Sequence, residues 1–95
     1  MYNFSFEELE NAQLIEITDT FRSGLQSAAE QSFPDDQGAI YTIVRAVQAG
    51  DLYYVEFTSD QLPDEERFVF ELAADYVVKR CWDLESGGFG LLFGD

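Results

Sequence analysis

The run Ile43-Val44-Arg45-Ala46-Val47-Gln48-Ala49-Gly50-Asp51-Leu52-Tyr53-Tyr54-Val55-Glu56 decides the fold. Two β-rich stretches flank Ala49-Gly50-Asp51, where glycine supplies the positive φ that a tight hairpin requires. Tyr53, Val55 and Phe57 alternate with Tyr54, Glu56 and Thr58, the period of a strand with one buried face. Residues 39–48 and 52–59 therefore read as antiparallel strands. Asp60 to Glu66 is an acidic loop. Phe68, Phe70 and Leu72 then alternate with Arg67, Val69 and Glu71, which predicts a third strand over 67–73. Ala74-Asp75 turns the chain into a fourth strand over 76–82. Beyond Leu84 four glycines stand among apolar residues, the composition of a loose tail or of a short edge strand.

Upstream of the hairpin the pattern changes to helical. Ser5-Phe6-Glu7-Glu8 has the capping-box spacing and predicts a helix to about Asn11. Leu14, Ile17, Phe21, Leu25 and Ala28 recur at spacings of three and four, which allows one helix over 5–32. Leu14-Ile15-Glu16-Ile17-Thr18 is also β-branched enough for a short strand, after which Thr18 or Asp19 caps a separate helix. The split version is preferred. Phe33-Pro34-Asp35-Asp36-Gln37-Gly38 closes the helical region. The expected fold is α+β: an N-terminal helix or two helices packed on a four- to five-stranded antiparallel sheet. It forms one domain over 1–84, followed by a glycine-rich tail over 85–95. One sheet face buries Val55, Phe57, Phe68 and Phe70 under the helix. The other is expected to show Glu56 and Glu71 as an exposed acidic patch. Tyr2, Tyr41, Tyr53, Tyr54 and Trp82 are too many rings for one small core, so some are expected at the surface.

Charge narrows the function. Nineteen Asp and Glu oppose five Lys and Arg, a net charge of −14 on 95 residues. Binding of bare nucleic acid or an anionic membrane requires a positive footprint, which this balance excludes. The chain has no histidine, which removes Ser-His-Asp and Cys-His catalysis and histidine metal sites. Its single cysteine, Cys81, rules out an intrachain disulfide and reads as a small buried hydrophobe rather than a reactive thiol. Lys79 and Arg80 are expected to pair with carboxylates across the sheet. Carboxylates are so abundant that no pair stands out as acid and base, so no enzyme activity, cofactor or metal is expected. No apolar run approaches a membrane span, and the first eight residues lack a signal peptide's basic start, so a cytoplasmic site of action in a bacterial or host cell is expected.

Two families resemble this chain. Gln13-Leu14-Ile15, Asp19-Thr20-Phe21, Pro34-Asp35-Asp36 and Thr58-Ser59-Asp60, followed by Pro63-Asp64, resemble successive segments of the phage uracil-DNA glycosylase inhibitors. That resemblance implies a small acidic protein occupying the DNA groove of its enzyme. Asp19, Thr20 and Phe21 would enter the cleft, and Leu25, Val55 and Phe57 would stand nearest the cavity that receives an apolar enzyme side chain. The hairpin from Ile43 to Glu56 is similar to the central hairpin of cystatins. Residues 46–50 nevertheless lack the glutamine and valine pattern of their inhibitory loop, and Ala73-Ala74 stands where they carry Pro-Trp.

The expected function is an acidic DNA-mimic inhibitor of the phage anti-defence type. It would block a basic nucleic-acid-binding protein, with uracil-DNA glycosylase as the sharpest target. The expected contacts are Asp19, Thr20, Phe21, Asp35, Asp36, Glu56, Asp60, Asp64, Glu65, Glu66 and Glu71, the acids as phosphate mimics and Phe21 as an anchor. Alternatives are an immunity protein against a nuclease toxin, an anti-CRISPR or anti-restriction inhibitor, a cystatin-like protease inhibitor and a domain whose charge only provides solubility. The last predicts acids spread evenly over the surface.

Overall fold

The structure is a computed structural model that describes residues 3–36, 38–61, 66–85 and 88–94. In chain order it has strands β1 (Asn3–Phe4) and β2 (Gln13–Leu14), helix α1 (Asp19–Ser32), then strands β3 (Tyr41–Ala49), β4 (Leu52–Ser59), β5 (Phe68–Leu72), β6 (Val78–Glu85) and β7 (Gly88–Phe93). All seven strands form one antiparallel sheet in the order β1-β7-β6-β5-β4-β3-β2. The α+β class and the helix-on-sheet packing stand. The strand count is corrected from four or five to seven.

The extra strands are short or unusual in composition. β1 and β2 have two residues each and pair with opposite edges of the sheet. β7 comes from the glycine-rich tail and lies inside the sheet between β6 and β1, not at an edge. Its signal was weak because glycine disfavours strand interiors. Its alternate residues Phe89 and Leu91 nevertheless pack on a core. Residues 88–93 thus belong to the sheet rather than to a separate tail.

The split at the N-terminus is realised. The Thr18 hydroxyl accepts a hydrogen bond from Phe21 N at 3.1 Å and caps α1. Ser5 caps only a 3-10 turn over Phe6–Glu8, accepting from Glu7 N at 3.3 Å. Asn11 then takes a left-handed φ of 58°, so neither a helix to Asn11 nor one over 5–32 forms. At the hairpin Gly50 has φ 64°, and the register runs from Ala49↔Leu52 to Tyr41↔Ser59.

Both faces of the sheet are covered. On one, Phe21, Leu25, Ala28 and Ala29 of α1 pack on Val55, Phe57, Phe70, Leu72 and Cys81. Gly24 lets the Tyr76 ring approach the helix, since a Cβ there would sit 2.7 Å from that ring. On the other face Phe4, Val47, Tyr54, Val69 and Trp82 form a second core, with Phe6, Leu9 and Ala12 packed against it. Residues 3–12 therefore cross that face as a strap between the two sheet edges. The two cores together correct the expectation of surplus surface rings: Tyr54 and Trp82 are buried in the second core, Tyr41 is buried in the first, and Tyr53 is half-buried against the first. Tyr2 lies outside the described residues.

Bulges set which side chains face which core. One between Ile43 and Arg45 leaves Val44 unpaired, so that Ile43 and Ala46 both pack on the helix side while Arg45 faces the strap. The outer edge of β3 is closed where it begins. The Gln26 side chain donates to Ala39 O at 2.9 Å and accepts from Tyr41 N at 3.1 Å, as a neighbouring strand would. Ile15 N donates to Ala46 O at 3.2 Å. This blunts an edge that would otherwise recruit another chain. Among the described residues, no helix is long and apolar enough to cross a membrane.

Candidate protein-binding face

The acids expected on the open sheet face are structural. Antiparallel register sets Glu71 opposite Arg80. Arg80 donates to both Glu71 oxygens, at 2.9 Å from Nε and 2.5 Å from Nη2, and the Tyr54 hydroxyl donates to Glu71 Oε2 at 2.7 Å. Burial pushes the Glu71 carboxyl upward, but the hydrogen bonds from Arg80 and Tyr54 and the Arg80 charge outweigh it and hold the group below the ordinary carboxylate range. The same burial, with the carboxylate beside it, pushes Tyr54 up to about 12. Glu56 pairs with Arg45 at 2.9 Å, and the Arg45 guanidinium lies 3.8 Å from the centre of the Phe6 ring. The expected exposed patch is therefore corrected. Glu71 is 3% exposed and Glu56 is partly covered, because the strap lies over their face. Lys79 sits in a bulge and is exposed, whereas Arg80 makes the expected cross-sheet pair. Burial raises the Cys81 thiol pKa, with the Asp83 charge adding to it, so Cys81 is core and not a nucleophile.

At the N-terminus of α1, Asp19 pairs with Arg22 at 3.0 Å and is fully exposed, and Thr20 is exposed beside it. Phe21 is 5% exposed and packs edge-on against Tyr53 and Tyr76. It anchors α1 to the sheet, which corrects its expected role as an anchor in a partner. Leu25, Val55 and Phe57 are also interior, at 0–1% exposure. Asp64 and Glu65 lie outside the described residues.

Of the other expected contacts, Asp35, Asp36, Asp60 and Glu66 lie in segments near the other end of the helix, while Glu7, Glu8, Glu10, Glu16, Asp51 and Asp75 are exposed elsewhere along the chain. Asp35 and Asp36 follow α1, and Glu30 stands in its last turn with no basic residue there. Asp60 follows β4 and accepts from Ile40 N at 2.8 Å. The Phe57↔Phe68 register brings Glu66, which precedes β5, alongside the end of β4. Among the described residues Glu30, Asp35, Asp36 and Asp60 make no ion pair, in contrast to Asp19, Glu56 and Glu71. Arg67 is the cation that shares this end, and its Nη1 donates to Glu66 O at 3.1 Å. The negative end of the helix dipole adds to the same field.

Apolar rings border these acids. Phe33 is half-buried and its ring centre lies 6.2 Å from that of Phe93, which is 37% exposed beside Leu92 at 45%. Glu30, Phe33, Pro34, Asp36 and Gly38 line a depression of about 400 Å³. Tyr41 stacks on Phe33 with centres 6.4 Å apart, and its hydroxyl, buried, has no hydrogen-bond partner. Burial raises the pKa of that hydroxyl, and the charges of Asp36, Glu30 and Asp60 raise it further. No family model, no curated protein and no solved structure matches this chain. The functional reading therefore rests on this geometry. Among the described residues no group of three or more Asp, Glu or Cys is placed to hold a metal ion.

Of the expected contacts, Asp35 and Asp36 follow α1, Asp60 follows β4 and Glu66 precedes β5, Asp19 and Thr20 stand apart at the opposite helix end, Glu56 pairs with Arg45, and Phe21 and Glu71 are interior. Sequence reading missed Glu30, Phe33 and Tyr41. An acid in the last turn of a helix opposes the helix dipole and was the available signal for Glu30. Glu30→Lys is accordingly expected to raise stability by about 1 kcal/mol, by replacing an adverse charge with a favourable one. Urea denaturation at low salt measures it. A fall in stability would mean that the field at this end is not self-repelling.

Proposed function

We propose that this protein is an acidic inhibitor that binds a basic nucleic-acid-binding enzyme by presenting carboxylates in place of phosphates, in the cytoplasm of a bacterial or host cell. The observation that carries the reading is that Glu30, Asp35, Asp36 and Asp60, without an ion pair among the described residues, stand near the C-terminal end of α1, where Phe33 meets the exposed edge of Phe93 and Leu92. Glu30, Asp35 and Asp36 stand where the helix dipole is already negative, a place that acids serving only solubility would gain by avoiding. Carboxylates steer a cationic groove at long range and the apolar rim supplies burial once contact is made. Uracil-DNA glycosylase is the first target to test, and DNA-binding components of restriction or CRISPR systems are of the same chemical class.

The test is excision of uracil from a duplex by purified glycosylase, with and without this protein. It is joined to capture of bound proteins from a lysate at low and at physiological salt. Stoichiometric loss of excision, or salt-weakened capture of a nucleic-acid enzyme whose activity the protein blocks, is the expected result. Binding indifferent to ionic strength, with no nucleic-acid enzyme inhibited, would overturn the proposal.

A further inference from the structure

We infer that the outer edge of β2 at Leu14 is a docking edge for an extended, basic segment of the protein partner, which adds as a strand beside it and packs an apolar side chain on Leu14. The inference deepens the inhibitor reading and rests on it for the basic character of the partner.

β2 ends the sheet order, so among the described residues no strand lies beyond it. Ile15 N donates to Ala46 O of β3, and backbone groups alternate in an antiparallel ladder. The Leu14 N–H and C=O therefore point away from β3, to the open side. Leu14 is also 79% exposed, the highest value among the described large hydrophobic residues. The other margins of the sheet lack this combination. The start of β3 is closed by Gln26, and β1 at the opposite edge carries polar Asn3 and buried Phe4. Val44, unpaired in the β3 bulge and 49% exposed, extends the apolar margin past the end of β2. Open strand backbone and an apolar contact beside it are the two components of strand addition, the first giving affinity and the second specificity.

Charge selects the occupant. Glu10 and Glu16 are exposed before and after β2, and neither makes an ion pair among the described residues. A second copy would bring the same two acids and a net charge of −14 to this edge and is repelled. A strand bearing lysine or arginine is attracted by the same charges. From Ile40, hydrogen-bonded to Asp60, to Val47, which pairs with Leu14, the chain spans roughly 20 Å at the rise of a strand. One basic partner thus reaches this edge and the acids near Asp60 together.

The probe is the acetylated, amidated peptide Lys-Val-Lys-Val-Lys, titrated into the full chain and followed by amide NMR shifts and hydrogen exchange. Lys-Pro-Lys-Pro-Lys keeps the charge but resists strand pairing, and Glu-Val-Glu-Val-Glu reverses the charge. Saturable shifts at Leu14 and Val44, with slowed exchange of the Leu14 amide, are expected with the first peptide and with neither control. Leu14→Ala should weaken binding about tenfold, the worth of burying much of a leucine side chain, and leaves the fold intact because that side chain is in solvent. Glu10→Gln with Glu16→Gln should weaken it about fivefold at physiological salt, and Glu30→Gln with Asp36→Asn by less than about twofold. Equal shifts with the proline peptide, no saturable binding, or an unprotected Leu14 amide would overturn the inference. Peptide binding at this edge without any salt-sensitive nucleic-acid enzyme as target would instead overturn the inhibitor reading and leave the edge standing. Inhibition of a captured target that is undiminished by Leu14→Ala and by Glu10→Gln with Glu16→Gln would overturn the edge and leave the inhibitor reading standing.

Discussion

Replacing Arg80 with leucine is expected to cost about 3–5 kcal/mol of folding free energy at neutral pH. Arg80 is the cationic partner of Glu71, which is 3% exposed, and the leucine would leave Tyr54 as the carboxylate's remaining side-chain donor. Its own side chain is 21% exposed, which places the loss toward the lower end of that range. Against a total stability of about 5–15 kcal/mol for a domain of this size, the change is large. The pH dependence follows from the sign of the shift. In the native protein Glu71 titrates below its unfolded value. Its contribution is therefore complete above the unfolded carboxylate pKa and is lost as pH falls through the folded one. In the variant burial dominates and raises the folded pKa instead, so the penalty is greatest at neutral pH and shrinks toward acid as Glu71 takes up a proton. Urea denaturation at neutral pH and near the ordinary carboxylate pKa measures both parts. A loss under about 0.5 kcal/mol, the size of an ordinary surface change, or one that does not vary with pH, would mean that the triad is not the buried unit described here.

Phe4→Ala is expected to lose about 3 kcal/mol and to expose Trp82. Phe4 is 4% exposed and its ring meets those of Tyr54, Trp82, Phe6 and Phe89 at centre distances of 4.8–6.3 Å. It pins the strap to the second core, and β1 offers only two paired residues to hold the strap without it. Trp82 is the only tryptophan and is fully buried, so its fluorescence reports the strap directly. A red-shifted emission, open to quenching by acrylamide under native conditions, is the expected signature in the variant. Emission identical to that of the parent, with unchanged stability, would show that the strap does not seal that face.

These two variants probe the half of the molecule that sequence reading placed in solvent. The hairpin was legible because Gly50 and the alternation in residues 52–59 are local signals. So was α1, because Thr18 and the Phe21-Leu25-Ala28 spacing are contained in a few turns. The second core was not legible. Val69 and Glu71 alternate with Phe68 and Phe70 as outward residues should, yet all of β5 is buried. Period two tells which residues share a face, but not whether that face meets water. The candidate site divides in the same way. Asp35, Asp36, Asp60 and Glu66 were found by their charge, whereas Glu30, Phe33 and Tyr41 come to them only through the packing of α1 on the sheet.

The sequence by itself determined the net charge of −14, the lack of histidine, the α+β class, the cap at Thr18 and the turn at Gly50. Each is a property of composition or of a few adjacent residues. Tertiary structure alone decided that Glu71 is an interior ion-pair partner and Glu30 a surface charge, that the tail is an internal strand, and that residues 3–12 close the second face. The reason is that burial is a relation between segments distant in the chain, and a carboxylate's role depends on which cation, ring or helix end the fold brings beside it.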